Sequence, residues 1–197
     1  NNIELVIGDI RDPKVVEQAA EGCQSIVHMA FVNGTEFFYS KPELVLEVGV
    51  KGMINVLDAC RSQQIGDLIL ISSSEVYQEP PTIPTPEDVP LIIPDVHNPR
   101  YSYGGGKIIS ELLALNYGRK DFERIVIIRP HNVFGPDMGW EHVIPQFILR
   151  AHDSIQEQPN GPINFPIQGK GTETRSFVYI DDFTEGLALA IEKGKHQ

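Results

Sequence analysis

Residues Leu68-Ile69-Leu70-Ile71 form an unbroken apolar run, closed by Gly66 and Asp67 on one side and by Ser72-Ser73-Ser74 on the other. A half-exposed strand would alternate with polar residues, so such a run reads as a strand buried on both faces, the kind found in parallel sheets covered by helices. Parallel neighbours cannot be joined by a hairpin and need long crossovers, usually helical. The rest of the chain supplies them. Ser25 to Ala30 reads as a strand and leads through a polar loop into a helical segment from about Pro42 to Arg61, with Leu44, Val48, Val50, Ile54 and Leu57 mostly on one side. Lys107 to Tyr117 reads as a helix and Arg124 to Arg129 as the strand that follows it. Near the start, Glu4 to Ile7 reads as a strand, followed by a helix with Asp12 as its N-cap, Pro13 in its first turn and Gly22 at its end. This alternation predicts an α/β protein, a doubly wound parallel sheet with right-handed crossovers and a ligand crevice at the carboxyl ends of the strands.

Between the apolar strand and the next helix, residues 80 to 99 hold seven of the fifteen prolines, which excludes helix and inner strand there and predicts a structured loop over a pocket. The last third reads as a helix from Val143 to His152, a Gly/Pro-rich stretch over 159 to 171, and a helix begun by Asp181 or Asp182 and stopped near Gly194. Composition narrows the partners. Lys and Arg number 16 against 27 Asp and Glu, a formal charge of −11, so nucleic acid and anionic membrane surfaces are not expected partners, and an anionic ligand needs a local basic pocket. Two cysteines, Cys23 and Cys60, give no disulfide or metal framework, and the six histidines show no ligand spacing, so no metal site is expected. The opening residues lack the layout of a signal peptide and no apolar run reaches a membrane span, so the expected address is cytoplasmic.

The chemistry-bearing residues cluster around two motifs. In Tyr103-Gly104-Gly105-Gly106-Lys107 a helix would set a phenol and an ammonium on one face, at i and i+4. Three consecutive glycines each cost about 1 kcal/mol relative to Ala in a helix, so their presence predicts that something approaches this backbone closely. A nearby cation favours phenolate, which would suit Tyr103 to acid/base work on an alcohol. The second motif, Ser72-Ser73-Ser74-Glu75-Val76-Tyr77, stands at the carboxyl end of the apolar strand, where an open α/β sheet builds its site.

A strand ending in Ser-Ser-x-Glu-Val-Tyr, a proline-rich loop and a Tyr-x-x-x-Lys opening a helix resemble the extended short-chain dehydrogenase/reductases, specifically the NAD-dependent nucleotide-sugar epimerase/dehydratase family. Gly8-Asp9-Ile10-Arg11-Asp12, Ile26-Val27-His28-Met29-Ala30, the segment Arg129 to Pro136 and the segment Thr174 to Asp182 agree in the same order, over essentially the whole chain. The resemblance implies a Rossmann-like NAD-binding domain over residues 1–136, lacking its first strand-helix-strand, and part of a small substrate-binding lobe over 137–197, with a returning strand and helix. Two departures stand out: the sequence has no Gly-x-x-Gly-x-x-Gly turn, and Gly49 stands where the family usually carries asparagine, a position expected to shape its helix. Because the family has that turn at its start and continues beyond the Asp181-Asp182 helix with more of the substrate lobe, the resemblance implies a chain truncated at both ends.

The resemblance also implies residue roles. Tyr103 is the acid/base, Lys107 lowers its pKa and holds the nicotinamide ribose, and Ser73 shares the substrate hydroxyl. Asp9 and Ile10 contact the adenine end of the cofactor. Ala30, Phe31 and Val32 line its path, with Ser72 and Pro130 also beside it. Ser74, Asn132 and Arg175 meet the substrate, Arg175 at the pyrophosphate, where a guanidinium fork suits phosphate oxygens. The expected cofactor is NAD, with NADP left open, and the expected partner beyond the nucleotide sugar is a second copy, paired through the Tyr103 to Tyr117 helix. Epimerisation through a transient keto-sugar is the leading expectation. A 4,6-dehydratase or decarboxylase with Glu75 as base is the alternative, although Ser74 stands where dTDP-glucose-type dehydratases have an aspartate. A non-catalytic NAD(P) sensor and an inert fragment are the further alternatives.

Overall fold

The computed structural model describes residues 3–167 and 169–197. Two compact units divide them, one holding the chain through Pro130 together with Gly186–Gln197, the other His131–Glu185.

The first unit is built on a parallel three-stranded sheet of order β1-β2-β3, with β1 at Ser25–His28, β2 at Asp67–Ile71 and β3 at Arg124–Ile128. The apolar run is the middle strand, as its composition predicts. Leu68 and Leu70 join Met53, Val56, Leu57 and Cys60 of helix α4 (Gly52–Ser62), Ala114 of α5 (Ser102–Asp121) and Ile125 in one buried cluster. By the period of a strand, Ile69 points to the other face, and it too is 0% exposed. The chain's end covers that side: a Cβ at Gly194 would fall 2.7 Å from Val126, the register partner of Ile69. Arg124 secures the arrangement, pairing both oxygens of Asp67 at 2.7 and 2.6 Å and donating to the carbonyls of Ile191 and Gly194. A cation on the last carbonyls of a helix also complements its dipole.

Helix α1 (Pro13–Ala20) begins as expected, with the Asp12 side chain accepting from Lys14 N–H at 3.0 Å, and Gly22 follows its end at φ +74°. Three expectations are corrected. Glu4 to Ile7 form no strand: Ile3, Leu5 and Ile7 are 82–89% exposed, and no described strand lies beside them to accept a ladder. The polar loop after β1 contains helix α2 (Thr35–Ser40), anchored by buried Phe38. The segment from Pro42 to Arg61 is helical throughout but not uniform, with α3 (Pro42–Leu46) and α4 separated by a π-helical turn at Glu47–Lys51 centred on buried Gly49. Residues 80–98 hold neither helix nor strand.

The second unit holds a two-stranded parallel sheet, β4 (Asn132–Phe134) with β5 (Phe177–Tyr179), and helix α6 (Val143–Glu157). Helix α7 (Ile180–Lys193) follows β5 directly. Phe134 packs edge-on against Phe177 and Tyr179 across the sheet.

Candidate active site

At the carboxyl end of β2 the chain turns sharply. Ser73 caps a single 3-10 turn, Ser74–Val76, its Oγ accepting the Glu75 N–H at 3.2 Å, while the Ser74 N–H donates to the Pro130 carbonyl at 2.9 Å. Facing this turn is the first part of α5. Its glycines meet close neighbours, as their cost predicts: a Cβ on Gly104 would lie 3.0 Å from the Glu75 carbonyl, one on Gly105 3.2 Å from Ile93, and one on Gly106 2.8 Å from Phe31. Only a bare backbone lets the helix approach the strand end this closely.

That approach brings Tyr103, Lys107, Ser73 and Glu75 together. Burial raises the Tyr103 phenol above its ordinary value, the nearby Ser73 hydroxyl pulls the other way, and the Glu75 carboxylate adds to the rise. Burial is the largest of these effects, and the Tyr103 pKa is raised on balance. The Lys107 ammonium lies 5.7 Å from the centre of the Tyr103 ring and is directed elsewhere, donating to the Ile71 carbonyl at 2.7 Å. Lys107 itself, 3% exposed, is brought down to about 8 by burial, opposed by the Glu111 carboxylate. Tyr103 sits between aromatic neighbours, edge-on to Phe31 at 5.0 Å and stacked on Phe38 at 5.2 Å. Glu75 is held from two sides, by Arg100 at 3.4 Å and by Gln78 Nε2 at 3.5 Å.

Behind the pair lies a network that the motifs did not disclose. Glu111, one helical turn beyond Lys107 and 2% exposed, accepts Arg129 Nε at 2.9 Å and Nη2 at 2.7 Å, and the Ser72 hydroxyl at 2.5 Å. Arg129 also donates to Tyr77 Oη at 2.9 Å and to the Glu87 carbonyl at 3.0 Å, tying down the proline-rich loop. The Ser72 hydroxyl is thus committed to the core rather than to the crevice. A glutamate at i+4 from the lysine, inside the apolar run Ile108 to Leu115, was the available signal for this network.

The other expected residues make contacts of their own. Asp9 is exposed and locked to Arg11 at 2.6 Å, which holds its carboxyl down to about 2, and Ile10 packs on the core, its carbonyl accepting from Asn55 at 2.9 Å. Ala30 is exposed, and Val32 is half-buried. His28 is buried and held neutral, its pKa lowered to about 4 by burial and then by the Lys107 charge. In the second unit, Asn132 Nδ2 donates to the Ser176 carbonyl at 2.9 Å, and exposed Arg175 reaches only the adjacent Thr174 carbonyl. Among the described residues no group of His, Cys, Asp and Glu could hold a metal ion, and no helix is long and apolar enough to cross a membrane.

A family model described as NAD dependent epimerase/dehydratase family matches residues 1–197. A dTDP-4-dehydro-6-deoxy-D-allose reductase from Streptomyces sp is 28% identical over 208 residues, 100% of this chain and 60% of that protein. Among solved structures, a dTDP-glucose 4,6-dehydratase from Streptomyces venezuelae with NAD bound superposes with TM-score 0.81 at 28% identity, covering 96% of this chain and 54% of the other. A UDP-galactose 4-epimerase superposes at TM-score 0.75 and 25% identity, over 94% and 55%. The chain spans little more than half the length of these relatives.

Proposed function

The chain belongs to the NAD dependent epimerase/dehydratase family, and from that premise we propose that the protein is a nucleotide-sugar epimerase working through a transient keto-sugar, with Ser73, Tyr103 and Lys107 as its machinery. The observation that carries the proposal is the convergence of a phenol, a serine hydroxyl and a buried ammonium at the carboxyl edge of a parallel sheet. An ammonium has three N–H donors, and the Ile71 carbonyl takes one, so Lys107 fits a ribose diol placed beside it. NAD held there would supply the acceptor and later the donor of a hydride.

The chain's own residues do the proton chemistry. Tyr103, entering the step as phenolate, takes the proton of the sugar hydroxyl on Oη as the carbonyl forms and returns it when the alcohol is restored. Ser73 Oγ hydrogen-bonds the same oxygen and fixes its orientation. Lys107 supplies positive charge near the phenol, favouring phenolate while the proton is away. Asn132 and Arg175 are proposed as contacts to sugar and phosphate, and Asp9, Ile10, Ala30, Val32 and Pro130 as contacts to the dinucleotide. No further acid or base is needed for epimerisation, and Glu75, paired with Arg100, is occupied as a salt-bridge partner.

One observation favours a second reading, a dehydratase or decarboxylase: the Glu75 carboxylate is close enough to Tyr103 to raise its pKa, which is where a base acting beside a new carbonyl would stand. Two variants of the full-length protein separate the readings. Tyr103→Phe is expected to lower kcat by about three orders of magnitude while NAD affinity is kept, and near-normal turnover would refute the acid/base role. Glu75→Gln is expected to leave most of an epimerase's rate, whereas a loss of about a hundredfold or more would establish the second reading.

A further inference from the structure

Phe31 fills a space that two glycines leave open. A Cβ on Gly49, in the π-helical turn, would lie 2.5 Å from Phe31 Cε2, and a Cβ on Gly106, in α5, would lie 2.8 Å from Phe31 Cζ. Real Cβ atoms do not stand so close, so the ring is keyed into a notch lined by two bare backbones. From the notch the ring reaches the working pair. Its centroid is 4.3 Å from Lys107 Nζ, within cation–π range, and it meets the Tyr103 ring edge-on at an interplanar angle of 79°. The ammonium is thereby held between the Ile71 carbonyl and an aromatic face.

We infer that Phe31 is the positioning residue of Lys107: keyed between Gly49 and Gly106, its ring fixes the ammonium against the Ile71 carbonyl and keeps water off the Lys107–Tyr103 pair. This rests on Tyr103 and Lys107 being the pair that works. The notch gives glycine a role at 49 and at 106, where it costs helix stability. Charged and titratable groups facing Lys107 are few: Glu111 on α5 attracts it, His28 on β1 is held neutral, and burial raises the Tyr103 phenol. With those fixed, hydration is the variable that the ring controls. Removing it lets water reach the ammonium, so the lysine moves from about 8 back toward its ordinary value.

The test reads Lys107 directly in the full-length protein, by NMR titration of lysine-labelled enzyme with Lys107→Met assigning the signal. Phe31→Ala is expected to raise the Lys107 midpoint by more than about one pH unit and to lower kcat about tenfold with sugar KM kept. Phe31→Leu fills the notch only in part, admitting some water, and serves if the alanine variant fails to fold; its midpoint is expected between the two. Gly49→Ala, which forces the ring out, is expected to produce the same shift in the wild-type background and none on top of Phe31→Ala. An unmoved Lys107 midpoint in both Phe31 variants, or a Gly49→Ala effect that adds fully to that of Phe31→Ala, overturns the inference. Because the titration needs no turnover, a protein inert on every sugar but obeying this cycle loses only the proposed reaction.

Discussion

Replacing Glu111 tests whether the site rests on the buried network behind it. The carboxylate is 2% exposed and accepts three hydrogen bonds, two from the Arg129 guanidinium and one from Ser72. Glu111→Ala removes one partner of a buried ion pair and leaves Arg129, whose side chain is 20% exposed, without its counter-charge. Breaking such a pair from one side costs about 3–5 kcal/mol, because the remaining charge has been desolvated without compensation. The Ser72 hydroxyl loses its acceptor as well, so about 4 kcal/mol is a conservative figure, a large share of the roughly 5–15 kcal/mol that holds a domain folded. With a urea m-value of about 2.5 kcal/mol/M, the unfolding midpoint falls by about 1.6 M. Glu111→Gln keeps the shape and part of the bonding and is expected to cost about 2 kcal/mol. Removing both charges, Glu111→Leu with Arg129→Met, is expected to recover most of the loss, since a well-packed apolar pair replaces an ion pair at little cost. Urea unfolding followed by circular dichroism and by tyrosine fluorescence measures all three. A Glu111→Ala cost below about 1 kcal/mol, or a double variant no more stable than the single one, would refute the argument that the network clamps α5 to the strand ends.

Further outcomes follow from the same geometry. His28 titrates near 4 when folded and near its ordinary value when unfolded, so on acidification the unfolded chain binds its proton first. Stability is then full above pH 6.5 and falls by about 3 kcal/mol as pH drops toward 4, a slope that His28→Asn flattens in urea titrations across that range. Lys107 is held charged at pH 7 against its burial, so Lys107→Met is expected to abolish turnover yet raise stability by about 2 kcal/mol, read as a higher urea midpoint. Asp12→Ala removes the acceptor for Lys14 N–H at the start of α1 and is expected to cost about 1 kcal/mol.

Much of the fold was legible because the apolar run at Leu68 to Ile71 admits few environments, and the helix signals at Asp12, Pro13 and Gly22 are local chemistry. The strand expected at Glu4 to Ile7 was not, since periodicity reports what a segment could pair with and not whether a neighbour is there. Helix α2 escaped because six residues are too few to show a period, and burial of Phe38 holds them. At the site, Tyr103, Lys107, Ser73 and Glu75 were legible from spacing and from family resemblance. Arg129 was visible only as part of a motif, because its partner Glu111 is 18 residues away and Tyr77 52, contacts that no local pattern encodes. The three glycines announced a close approach but not by what. Phe31, Gln78 and the Glu75 carbonyl supply that answer from elements distant in sequence.

The proposed reaction is the interconversion of sugar epimers through a keto-sugar by Tyr103 and Lys107 with Ser73. Its most direct test is incubation of the full-length protein with NAD against a panel of UDP-, GDP-, CDP- and dTDP-sugars, with products read by mass and then by NMR. The account predicts a product of unchanged mass whose carbinol stereocentre is inverted, formed by the wild type and not by Tyr103→Phe. A product lighter by water or carbon dioxide, or no product from any sugar, would contradict it.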